Sequence, residues 1–168
     1  AYAVFGFYRD KNNAMYVPYD EDFDGAPSLS IAEGDGVVLQ NLLIDGDVIS
    51  HELSHHIVFE HLRSTSGTSL VVHEALADYF PYSKFGGEPC LGESICPVDS
   101  SACYVEGKCL RTADNNLVHN EIEGSWHKES QVVPASLWDL RKKIGGASMD
   151  RIVFKALSYF PKEIGYYG

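Results

Sequence analysis

Long apolar runs are missing from this chain of 168 residues. A helix that spans a bilayer needs about 20 consecutive apolar residues, and nothing here approaches that. Basic residues are scarce as well: 13 Lys and Arg stand against 24 Asp and Glu, for a net charge of -11. That balance argues against nucleic acid or an anionic membrane as a partner. Internal repeats and low-complexity tracts are absent, and the length suits one domain or one compact unit with two lobes. There is no initiator Met and no signal peptide in view. The start at Ala1-Tyr2-Ala3 suggests a chain processed or excised from something longer, and whether a propeptide was removed stays open.

Cysteine is sparse too, and its placement is informative. Cys90, Cys96, Cys103 and Cys109 all fall within one segment, separated by five, six and five residues. No Cys-x-x-Cys pair of the zinc-ribbon kind is present, so a structural metal site there is the weaker reading. An even number packed among Gly, Pro and Ser suggests two disulfides. It also suggests an oxidising compartment: secreted, extracellular or periplasmic. The three possible pairings stay open.

The first 45 residues alternate short strand-like runs with turns. Tyr2 to Tyr8 is aromatic and extended, Asn12-Asn13 is a turn signal, and Ala14 to Val17 reads as a strand ended by Pro18. Ser28 to Ile31 and Val37 to Leu39 read as two more. Between them Asp20-Glu21-Asp22-Phe23-Asp24-Gly25 forms a dense acidic turn. Carboxylates and a glycine turn suit Ca2+, yet the spacing matches no complete calcium loop, and a solvated acidic loop is the simpler reading.

The richest stretch is 47 to 63. Val48, Ile49, Leu53, Ile57, Val58 and Leu62 recur at helical spacing behind a capping Asp47. This helix carries His51-Glu52-x-x-His55. Positions i and i+4 share a helix face, so both imidazoles can converge on one metal ion. Glu52 sits beside that face, able to reach a water without being a ligand. That is what a zinc hydrolase needs. A polar face that merely carries several histidines is the bland alternative.

A second helix is expected from Thr68 or Ser69 to Phe80, with Pro81 as its stop. On it Glu74 and Asp78 are again four apart. Glu74 can supply the third, oxygen ligand of a His2Glu zinc site, with one position left open. Asp78 can accept the free ring N–H of a ligating histidine and fix its tautomer. Among Val71, Val72, Ala75, Leu76 and Ala77, unpaired carboxylates would be costly. Further on come Arg111, His119 and His127. A third helix is expected from Gln131 to Ile144. A fourth, capped by Ser148 and stopped by Pro161, follows it. Their stripes of Leu137, Leu140 and Ile144, then Ile152, Ala156, Leu157 and Phe160, read as core.

Taken together, His51-Glu52-x-x-His55 and Glu74-x-x-x-Asp78 resemble the gluzincin signature, more narrowly that of the thermolysin-like metallopeptidases. Asn12-Asn13-Ala14-Met15-Tyr16, Asp47-Val48-Ile49-Ser50, Leu110-Arg111, Trp126-His127 and Arg151 to Phe160 are similar to further segments of those enzymes. The resemblance implies an α+β, zincin-like catalytic domain over 1–168. It would have an N-terminal lobe of twisted sheet with the zinc-binding helices (1–80), a disulfide-bonded loop (84–112) and a helical lobe (113–168). It implies a monomeric zinc endopeptidase acting on peptides or proteins, with Zn2+ on His51, His55 and Glu74 and Glu52 as general base. It further implies that His127, with His119 as competitor, stabilises the transition state. Asn13 and Ala14 would align substrate as an added strand, and Arg111 would hold a substrate carbonyl. The chain departs from that pattern at His73, which stands where the family carries Asn, and in a helix-to-helix link without tyrosine. The cysteine loop occupies the region where the long enzymes bind calcium. A non-catalytic zinc module and a disulfide-stapled binding domain are the alternatives, but the first has no use for Glu52 and the second leaves Glu74 and Asp78 unexplained.

Overall fold

A computed structural model describes residues 2–5, 10–103, 108–118 and 125–161, the first of these groups by its backbone alone. The class is α+β. Three strands form one sheet: β1 (Tyr2–Phe5), β2 (Ala14–Asp20) and β3 (Ala26–Ile31). Their spatial order is β1-β3-β2, with β1 parallel and β2 antiparallel to β3. Among the described residues strand β2 is therefore an edge. It does not end at Pro18 as the sequence suggests but runs on to Asp20, with its register shifting between Val17 and Asp20. A proline is tolerated at such an irregularity because it has no N–H to withhold from the ladder. Val37 to Leu39 is no strand. Asp35 accepts from the N–H groups of Val37 and Val38 at 2.8 and 2.7 Å, folding a turn that leaves Val37 exposed and buries only Leu39.

The acidic segment makes a 3-10 turn, Glu21–Phe23. Its Asp20 carboxylate accepts from Asp22 N–H and from the Ser28 hydroxyl. That carboxylate, expected as one of the groups available to calcium, is thus engaged by the chain itself.

Helix α1 (Gly46–Phe59) carries the histidine motif. Its cap is Asp45 rather than Asp47. The buried Asp45 Oδ1 accepts from Asp47 and Val48 N–H at 2.9 and 3.1 Å, while Oδ2 accepts from Ser94 N–H at 3.1 Å. An N-cap carboxylate of this kind contributes about 1 kcal/mol, and this one also ties the helix to the cysteine loop. Asp47, in the first turn, packs against Glu93; burial and the hydrogen bond with Glu93 push it up to about 7. Leu53 departs from the expected stripe and is exposed.

Helix α2 (Gly67–Phe85) starts earlier than expected and passes straight through Pro81. Burial decides this. Pro81, Tyr79 and Tyr82 all sit in the interior, and that packing offsets a proline penalty of about 3 kcal/mol. A short α3 (Trp126–Glu129), capped by Ser125, precedes α4 (Val132–Ile144), and α5 (Gly146–Ala156) follows at once. Gly145 joins α4 to α5 at φ 89°, a conformation open to glycine. The fourth helix accordingly starts at Gly146, and Ser148 lies inside its first turn rather than at its cap. It gives way at Ala156 to a 3-10 turn, Leu157–Tyr159, before Pro161 is reached. Leu140, Ile144 and Ile152 are exposed instead of core.

Two apolar clusters flank α1. Val58, Leu62, Tyr79, Trp138, Met149 and Leu157 belong to the helical side. Ile31, Leu39, Leu42, Val48, Ile95 and Cys103 belong to the sheet side. The metal-motif helix is thus held from both directions. The cysteines pair as Cys90–Cys109 and, nested within, Cys96–Cys103, which suits a secreted or extracellular setting. A two-stranded ladder of β4 (Cys90–Leu91) and β5 (Arg111–Thr112) closes the loop and delivers Arg111 to the centre of the molecule. Among the described residues, no helix is long and apolar enough to cross a membrane.

Candidate metal site

Helices α1 and α2 lie against one another with His51 and His55 facing Glu74. His51 Nε2 is 3.1 Å from His55 Nε2 and 3.5 Å from Glu74 Oε2, and His55 Nε2 is 3.5 Å from Glu74 Oε1. These spacings can be tested against a metal. Four ligands at 2.0–2.1 Å in a tetrahedron stand about 3.3 Å apart along each edge. The two histidine nitrogens sit near such a separation, and the Glu74 carboxylate spans them, with a different oxygen 3.5 Å from each. Buried Glu74 Oε2 has no hydrogen-bond partner, which is costly unless a cation takes it. The residues fit a metal ion. Among the described residues this is also where three such ligand atoms gather, and no other group of that kind was found.

The surroundings set the charges. Asp78 Oδ1 lies 2.9 Å from His51 Nδ1, off the line of a straight hydrogen bond, so the carboxylate expected to orient a ligating histidine is at His51. Arg111 grips the same carboxylate through Nε at 2.7 Å and Nη2 at 2.8 Å. Burial by itself would raise Asp78, but Arg111 and His51 hold it down at about 2. Burial would likewise lower His51, but Asp78 and Glu74 outweigh it and hold the imidazolium up to about 10. Burial and the charge on His51 push His55 down to about 3. Burial would raise Glu74 as well, yet its contacts with His51 keep it ionised. Glu74 and Asp78 thus favour positive charge between them, which a proton on His51 supplies here and a metal dication would supply in its place.

Glu52 is buried beside this cluster and is not one of its donors. Burial raises it, and the charge of Glu74 adds to the effect; a backbone N–H of Tyr16 opposes it. A carboxyl raised in this way takes up a proton more readily than an exposed one.

The Tyr16 contact follows from strand register. Asn13 O accepts from Ala32 N–H at 3.1 Å, which makes that pair hydrogen-bonded. In an antiparallel ladder the next residue, Ala14, and then Tyr16, point their backbone groups to the other side. The Tyr16 N–H faces Glu52. Ala14 presents its own to a cleft. Asn13 gives its carbonyl to the sheet and, like Ala14, lines the cleft. The Tyr16 hydroxyl is bonded to His56 Nδ1 at 2.9 Å, which pins the strand to α1.

The cleft has two parts that share Asn13, Ala14, His51, Glu52 and His127. One, of about 290 Å³, extends past Tyr16, Leu70 and Glu74; the other, of about 230 Å³, extends past Leu39, Leu42, Val48, Ala102 and Leu110. His127, on α3, is half-exposed with Nε2 3.3 Å from Glu74 Oε2. His119 lies outside the described residues. His73 is not a ligand: its Nε2 pairs with Leu62 O at 2.8 Å, bracing α2 against the end of α1. Arg111 lines the second part but commits two of its nitrogens to Asp78, so its first role is to hold that carboxylate. Sequence reasoning missed this pair and the Tyr16 contact with Glu52, since partners 33 or more residues apart leave no spacing to read.

No protein-family model matches this chain, and no curated protein matches it significantly.

Proposed function

We propose that this protein is a zinc-dependent endopeptidase of zincin-like build, with its cleft between the sheet edge and α2. The observation that supports this most is the gathering of His51, His55 and Glu74, whose ligand atoms all lie within 4.8 Å of one another, with Glu52 buried beside them and left out of the set. A structural zinc site has four protein ligands and no use for such a base. Zinc on these residues would supply Lewis acidity, acidifying water and polarising the scissile carbonyl.

The chain's own groups divide the remaining work. Glu52 takes the proton of the attacking water and later gives it to the leaving amine, as general base and then general acid. Its Tyr16 N–H contact fixes the carboxylate for that task. Ala14, on the free edge of β2, pairs with an extended substrate as an added strand. The exposed His127 donates to the oxyanion as it forms. Asp78 and Arg111 orient His51 from behind. The two parts of the cleft take the side chains on either side of the scissile bond.

The test uses an unfolded protein, casein, as substrate. We expect cleavage by the zinc-loaded chain, its loss on chelation, and its return when about one equivalent of zinc is restored. Cleavage that persists with the zinc removed would end this reading.

A further inference from the structure

The smaller part of the cleft is walled on one side by a feature with no part in the chemistry above. Ala102 lines it together with Leu39, Leu42, Val48 and Leu110. Ala102 belongs to the tight turn closed by Cys96–Cys103, a crosslink of only seven residues' separation with its Cα atoms 6.0 Å apart. The turn is rigid in its own right. Ser100 Oγ accepts from Ala102 N–H at 3.2 Å, Cys103 N–H reaches Ser100 O at 3.3 Å, and Ser100 N–H reaches Pro97 O at 3.1 Å. It is also rooted. Ile95 and Cys103 are buried in the same apolar cluster as Leu39, Leu42 and Val48, and Ile95 O accepts from Gln40 N–H at 2.8 Å. The Ser100 hydroxyl donates to Val38 O.

We propose that Ala102, held by the Cys96–Cys103 clip, sets the upper size of the substrate side chain accepted on this side of the scissile bond, and so determines cleavage specificity. The inference rests on the peptidase reading. A wall that could drift would let the cavity swell around larger side chains, as a loop free at one end does. A wall crosslinked at both ends and bonded to the core cannot move away cheaply. The residue facing the cavity is nearly the smallest available, so the space of about 230 Å³ depends on it. In apolar pockets a misfit of one methylene changes kcat/KM by about 10- to 200-fold. Cys96 and Cys103 act as positioning residues, because they touch the substrate only through Ala102.

The experiment compares cleavage-site profiles on casein and on a peptide series that varies the residues flanking the cut. It uses wild type, Ala102→Leu, Ala102→Gly and the double variant Cys96→Ser/Cys103→Ser, with zinc content measured on each. Ala102→Leu is expected to lower kcat/KM for a large apolar residue relative to alanine by at least about 10-fold, on one side of the bond only. Ala102→Gly should shift the preference toward larger residues on that same side. The Ser variant should flatten the preference while zinc stays bound. If Ala102→Leu loses zinc through misfolding, the glycine variant decides. Coincident profiles in zinc-loaded, active variants overturn the role of Ala102 and leave the peptidase reading standing. No cleavage by the zinc-loaded wild type overturns both.

Discussion

Glu52→Gln should keep its zinc and lose at least about 100-fold, and up to about 10,000-fold, in kcat for peptide cleavage. The size of the loss follows from where Glu52 sits. Its carboxylate is buried at 6% exposure, next to the donors of the metal site but not among them. The amide is nearly isosteric, so the packing of α1 on α2 and the approach of Tyr16 N–H survive. What disappears is the capacity to accept a proton. Burial raises the Glu52 carboxyl and so favours uptake of that proton, while ionised Glu74 on the far side of the cluster resists two negative charges together. The amide cannot titrate at all. Zinc content measured beside the rate separates this outcome from a variant that simply lost its metal. A Gln variant that cuts as fast as wild type would remove Glu52 from the chemistry.

Arg111→Leu should be the most destabilising single change near the site, and its effect should reach the metal. The guanidinium makes two hydrogen bonds to Asp78, whose side chain is wholly buried. Removing one partner of a buried ion pair costs about 3–5 kcal/mol, because the other charge is left uncompensated. For a domain of this size that is a fall in Tm of about 6–20 °C. Arg111→Lys should recover only part of it, since an ammonium cannot reproduce the two-pronged contact.

The acid limb of stability should move with it. In the folded protein Asp78 is held at about 2, below its ordinary value of 3.8. Between those values the unfolded chain binds more protons than the folded one, so stability rises with pH there. The contribution is therefore fully present above about pH 4 and is lost as pH falls toward 2. Without Arg111 the folded value rises, and acid unfolding should begin at a higher pH. Zinc affinity should drop about 10- to 100-fold as well, because in the proposed site Asp78 orients His51. Unchanged acid stability in Arg111→Leu would mean that another group holds Asp78.

What could be read from the sequence was local. His51, Glu52, His55, Glu74 and Asp78 were legible because each pair lies within one or two turns of a helix, where spacing fixes the face. Class α+β came with the resemblance, and the strand-like runs ahead of the helical ones agree with it. Misreadings arose where two local signals competed or where burial overruled one. Asp45 and Asp47 are both good caps, and only the Ser94 contact from the cysteine loop shows why Asp45 serves. Pro81 is a sound stop signal that the packing of Tyr79 and Tyr82 overrides. Val37 and Val38 favour strands, but Asp35 captures their N–H groups for a turn. The Asn13 carbonyl, Tyr16 N–H and Arg111 assignments depend on register and on contacts across the chain, which no motif encodes.

Zinc content with X-ray absorption at the zinc edge, on wild type and on Glu74→Ala, decides whether His51, His55 and Glu74 hold the metal. About one zinc per wild-type chain is expected, with nitrogen and oxygen neighbours only, at about 2.0–2.1 Å. Glu74→Ala should hold little or no zinc. Zinc bound through sulfur, zinc retained undiminished without Glu74, or no zinc in the wild type would each contradict the assignment of His51, His55 and Glu74 as its ligands.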